Sequence, residues 1–135
     1  MRDKRFIAEH RSGSLKKEQH IQLMNWACEC AENVLPLLGE HPYERLKNAL
    51  LIAKEWVNEK ATVDAARKAS LGAIAVANES SNPIEIAVAR AVGHAVATAH
   101  MADHSLGAAL YALKALKNAG KSIGAERIWQ KEQLP

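Results

Sequence analysis

A chain of 135 residues has the length of one domain and can enclose a core of its own. Its 48% hydrophobic and 24% charged residues exclude a disordered chain, and with only 4% aromatics the core is left to alanine and aliphatics. The net charge of +3 is dispersed, with acids beside bases in Lys16-Lys17-Glu18, Glu44-Arg45 and Lys54-Glu55, so no basic face points to nucleic acid.

Small side chains let helices approach closely and offer little to a sheet, which favours branched and aromatic residues. The expected fold class is therefore all-α: a compact bundle of five to six helices around a buried Ala-rich central helix or helix pair. Residues 1–135 form a single domain in this reading.

Residues 1–13 read as a charged N-terminal arm ending in Ser12-Gly13. Only Phe6-Ile7-Ala8 interrupts the early charges, too little for a secretory signal. Ser14 fits the N-cap of a helix starting at Leu15. Ile21, Met24, Cys28, Ala31 and Leu35 recur at helical spacing, widened by Leu23, Ala27, Cys30 and Val34. His20 lies on this apolar side and reads as a hydrogen-bonded core residue. Cys28 and Cys30, about 200° apart on a helix, can form neither a local disulfide nor a two-point chelate, and read as small core residues of a cytoplasmic protein.

Pro36 ends or bends this helix and Gly39 allows the turn. Pro42 suits the first position of a second helix, whose buried face is Leu46, Ala49, Leu50, Ala53, Trp56 and Val57. Thr62 caps a third, with Asp64 in its first turn; the absence of charge over residues 69–78 predicts a second half buried on most sides. After the loop Asn78-Glu79-Ser80-Ser81-Asn82-Pro83, the segment 83–119 is apolar nearly all round as far as Lys114, the pattern of a helix surrounded by neighbours. Asp103 and Ser105 offer capping oxygens and Gly107 a turn or close contact, so a break is expected near residues 101–104. Ala119-Gly120 closes the segment. A tail helix over 124–132 turns Ile128 and Trp129 inward, and Trp26, Trp56 and Trp129 each anchor one helix, each indole N–H needing an acceptor. The longest uncharged run, residues 91–102, is too short for a membrane span, so neither membrane nor nucleic acid is an expected partner. There is no internal repeat and no phosphate-binding glycine loop.

Polar residues inside the apolar segment form the candidate site: Arg90, His94, Thr98, His100, Asp103 and His104, with Ser105 beside them. On a straight helix Arg90, His94, Thr98, His104 and Ser105 share a band of roughly 120°. Three chemistries stay open, besides contact with a partner. His100 and His104, four apart, could hold a metal ion, with His94 about 15 Å away along a straight axis and a third ligand from elsewhere. A histidine beside Asp103 could serve as a general base. The same groups could tie helices together as an internal polar seam. Without HExxH, cysteines near the histidines or a nucleophile beside a base, the seam is the expected role: no catalytic residue, no cofactor, and metal only as the alternative. Arg90 on a buried helix calls for a carboxylate, with Glu29 or Glu32 as the expected partner.

The string Ala89-Arg90-Ala91-Val92-Gly93-His94-Ala95-Val96-Ala97-Thr98-Ala99-His100-Met101-Ala102-Asp103-His104 resembles the core motif of a bacterial family of immunity proteins of polymorphic toxin (toxin–antitoxin) systems. Gly107-Ala108-Ala109, Tyr111-Ala112, Lys114-Ala115, Trp26-Ala27, Cys30-Ala31-Glu32, Val34-Leu35, Trp56, Arg127-Ile128-Trp129-Gln130 and Leu134-Pro135 continue the likeness over nearly the whole chain. Asn33 and Leu46 depart from it, standing where the family pattern has a histidine and a proline. The resemblance implies a binding protein that blocks a cognate toxin rather than an enzyme. The alternative is a metal-binding helical bundle or metal-dependent enzyme using His100 and His104. The alanine- and glycine-rich faces would also suit a homodimer.

Overall fold

The computed structural model describes residues 15–39 and 43–135. The arm 1–13, the expected N-cap Ser14 and the expected first helical position Pro42 lie outside them. The described residues form six α-helices and no strand, so the fold class is all-α. In chain order these are α1 (Lys17–Val34), α2 (Glu44–Val57), α3 (Val63–Glu79), α4 (Pro83–Ala97), α5 (His104–Asn118) and α6 (Gly124–Gln133). A 3₁₀ turn, Leu35–Leu38, follows α1.

Helix ends follow local chemistry. α1 begins at Lys17, two residues later than expected: Leu15 is buried, and the Gln19 side chain accepts the Lys16 N–H at 3.0 Å. Pro36 falls within the 3₁₀ turn, and Gly39 reverses the chain at φ 72°. Thr62 Oγ1 accepts from Ala65 N at 3.0 Å and caps α3 as expected. Asn82 caps α4 twice over, its Oδ1 taking the N–H of Ile84 at 2.9 Å and of Glu85 at 3.2 Å, with Pro83 at the first helical position. Replacing Asn82 with alanine orphans both donors. Asn82→Ala is expected to lower unfolding free energy by about 1 kcal/mol, read from urea denaturation.

α4 is the axis of the bundle. It lies against α5 and α3 along most of its length, and against α1 and α2 as well. Its buried residues include Ala87, Val88, Ala89, Ala91, Val92, Gly93, Ala95 and Val96, which is why the sequence is apolar all round there. Gly93 lets α3 approach: a Cβ at that position would stand 2.5 Å from Ile74 Cδ1. α3 itself is less buried than its uncharged stretch predicts. It hides Ala66, Ser70, Ala73, Val76 and Ala77 along one face while Leu71 is 61% exposed. Absence of charge marked no second buried face.

The apolar segment is two helices. The break covers residues 98–103, opening earlier than the expected 101–104, in a run of tight turns from Thr98 N to Ala95 O through His104 N to Met101 O. α5 then runs back antiparallel to α4, and Asn118 Nδ2 donates to Pro83 O at 3.4 Å at the far end. Asp103 occupies the N-cap of α5 without a side-chain cap bond, and Ser105 Oγ donates to Ala102 O at 2.7 Å. Neither is the capping acceptor expected.

α6 closes over α1 and α5 by polar ties. Trp26 Nε1 donates to Gln130 O at 2.9 Å, Gln130 Nε2 donates to Ala109 O at 3.0 Å, and Asn33 Nδ2 donates to Glu126 Oε1 at 3.0 Å. Trp129 packs against the core, whereas Ile128 is 61% exposed; the buried polar Gln130 takes the inward position instead. Cys28 and Cys30 are free and buried, as expected. Burial, helped by nearby carboxylates, raises both thiols to about 12, so they pack as thiols.

Candidate functional site at the α4–α5 corner

The break folds the polar residues together. On a straight helix His94 and His104 would lie about 15 Å apart. Reversal of the chain through residues 98–103 instead sets their Nδ1 atoms 3.1 Å apart, one donating and the other accepting. Their ring centroids are 5.2 Å apart, and His100 lies beyond His104 at 5.5 Å. Gly107 opens the space, since a Cβ there would stand 2.7 Å from His94 Nδ1 and 3.0 Å from its Cγ.

Tyr111 forms the other wall. Its ring stacks on His94 at 5.1 Å with an interplanar angle of 25°. Arg90 Cζ lies 5.8 Å and Lys114 Nζ 6.0 Å from the Tyr111 centroid, both in cation–π range. Arg90 does not pair with Glu29 or Glu32: Glu32 Oε1 is 3.6 Å from Lys54 Nζ, and among the described residues no carboxylate reaches Arg90. The guanidinium of the half-buried Arg90 rests instead on an aromatic face of α5. Tyr111 entered the sequence reading only through the family likeness. A bulky ring four residues after Gly107 in an alanine-leucine helix was the available signal.

Thr98 and His20 serve the helix ends. Thr98 Oγ1 donates to His94 O at 3.2 Å, and its own carbonyl accepts from His20 Nε2, which joins α1 to the break. His20 also sits against Trp56 at 5.0 Å. The expected hydrogen bond is made, but His20 is part-buried rather than a core residue. Asn33 bonds Glu126 on α6 and is not among the partners of the histidines.

Among the described residues no group of three or more histidine, cysteine or acidic side chains is arranged to hold a metal ion. His94 and His104 share one hydrogen bond through their Nδ1 atoms in a part-buried setting. Burial lowers the His94 pKa, and His104 and Arg90 lower it further, because a second positive charge in the corner is unfavourable. Its folded value thus lies below the unfolded one. Stability from this group is full above about pH 6.5 and is lost as pH falls below it toward the folded value. Between pH 8 and pH 5, wild type should lose more unfolding free energy than His94→Gln, which denaturation curves at both pH values would show.

The described residues form an all-α bundle in which Arg90, His94, His104 and Tyr111 gather where α4 meets α5. The chain belongs to the Imm-5 like putative immunity protein family, whose model matches residues 13–135. No curated protein and no solved structure matches it. No helix of the described residues is long and apolar enough to cross a membrane.

Proposed function

We propose that the protein is a cytosolic immunity module that neutralises a cognate bacterial toxin by direct contact. The observation that carries this reading is the family match over residues 13–135. The α4–α5 corner is consistent with it: the His94 and His104 rings bond each other, which leaves the contact with a partner to more exposed residues. Polymorphic toxin systems supply such a partner as a toxin domain encoded beside the immunity gene. Co-expression of that domain with this chain should restore growth, and the two should co-purify as a stable complex. Persistent toxicity with every neighbouring toxin domain, and no complex with any, would overturn the reading.

A further inference from the structure

We infer that the outward face of α5, continued by Arg90 and Tyr111, is the surface that receives the toxin, and that it takes a surface with apolar side chains set among carboxylates. This assignment rests on the immunity reading and names where its contact is made.

Leu106, Leu110, Lys114 and Lys117 fall within about 80° of one another on α5, over roughly 16 Å of axis. That stripe lies opposite Ala108, Ala112 and Ala115, which face the core. Leu106 is 44% exposed and Leu110 63%. Two exposed leucines one turn apart on one helix form an apolar strip rather than isolated surface residues.

The charge along the strip is mostly positive, with Asp103 at the start of α5 the one acid in line with it. From residue 104 to residue 125 the chain has Lys114, Lys117 and Lys121 and no Asp or Glu. The ion pairs among the described residues are Lys17–Glu59, Arg45–Glu79, Lys54–Glu32 and Lys68–Asp64, so the cations of α5 have none. Arg90, half-buried on Tyr111, also lacks a carboxylate there. Arginine and tyrosine are the residue types that most often dominate binding energy at protein interfaces. A carboxylate delivered to Arg90 would meet a guanidinium already held in place.

This pattern separates the possible occupants. A second copy in parallel register would set lysine against lysine, and an antiparallel one would set the lysines on leucines with no carboxylate of the strip to meet them. Residues 1–13 carry Arg2, Lys4, Arg5 and Arg11 against Asp3 and Glu9, so that segment has the same sign as the face. Nucleic acid would match the lysines and leave the leucines wet. An acidic protein surface with apolar side chains complements both.

The test is titration calorimetry of the full chain against the toxin domain encoded beside it. Leu106→Asp with Leu110→Asp should weaken Kd at least about 30-fold, and Lys114→Glu with Lys117→Glu about 10-fold at low salt, the latter loss shrinking as salt rises. Arg90→Lys keeps the charge but loses the planar fork, and should weaken binding with an unchanged circular dichroism spectrum. Leu51→Asp and Leu71→Asp, exposed on α2 and α3, should leave Kd unchanged. Full affinity in the α5 variants, with loss in the Leu51 or Leu71 variants, overturns the assignment and leaves the immunity reading standing. No complex with wild type overturns both. Leucine-dependent binding to phosphatidylglycerol vesicles, with toxin binding unaffected by the α5 variants, would make the face a lipid surface and overturn the assignment too.

Discussion

Gly107→Ala is expected to lower the unfolding free energy by about 2 kcal/mol, although alanine is worth about 1 kcal/mol more than glycine inside a helix. The sign turns on His94. A Cβ at residue 107 would stand 2.7 Å from His94 Nδ1, 3.0 Å from Cγ and 3.2 Å from Cε1, so it meets the body of the ring. That ring is stacked on Tyr111 and bonded to His104, and a shift to admit the methyl weakens both. Gly72→Ala is the matching control. It too lies inside a helix, but nothing lies within 4 Å of its Cβ position, so propensity alone acts and stability should rise by about 1 kcal/mol. Urea denaturation of both variants reads the two signs. Combining Gly107→Ala with His94→Ala should lose less than the sum of the two single changes, because the second removes the atoms the first strikes. A stabilised Gly107→Ala chain would refute the close approach.

The same residues show what sequence can convey about this molecule. The apolar character of α4 marked it as the central helix, because a helix touched by neighbours on every side has no polar face to display. Capping chemistry placed Thr62 correctly, because that effect acts within one turn. The loop expected over residues 78–83 is narrower, α3 running to Glu79 and α4 starting at Pro83. The meeting of His94 with His104 was hidden. It depends on the direction α5 takes after the break, and a helical wheel drawn through residues 90–105 assumes the break away. Arg90 failed for a related reason: spacing identifies a cation that needs a partner but cannot choose between a carboxylate on α1 and a ring on α5. Ile128 was misplaced because Gln130, bonded to Ala109 O, supplied the inward contact that hydrophobicity alone would give to isoleucine. Identity was most legible where side chains are smallest. Alanine and glycine at close helix contacts tolerate little change, and the family motif runs through those contacts.

A core built from alanine has a mechanical consequence that gives Leu46→Ala the largest expected loss, about 4 kcal/mol. Leu46 is fully buried, and among the described residues only Met24 is a larger fully buried side chain. Leucine-to-alanine changes in cores remove about 2–5 kcal/mol, and the spread depends on how far the surroundings collapse into the space left. Near Leu46 on its own helix the buried neighbours are Ala49, Leu50 and Ala53. Alanine has no χ angle to rotate, so it cannot swing a methyl into the gap. The backbone would have to move, yet α2 also packs against α3 and α4. The cavity should therefore persist, which places the loss toward the upper end of the range. Against a total stability of about 5–15 kcal/mol for a domain, this is a large share. Urea unfolding should show a much lower midpoint with the same slope, since the surface exposed on unfolding hardly changes. Leu46→Met, close in volume, should lose less than about 1.5 kcal/mol. A loss under about 1 kcal/mol for Leu46→Ala would mean that the alanine core yields, and that close helix contact does not fix the positions of α2, α3 and α4.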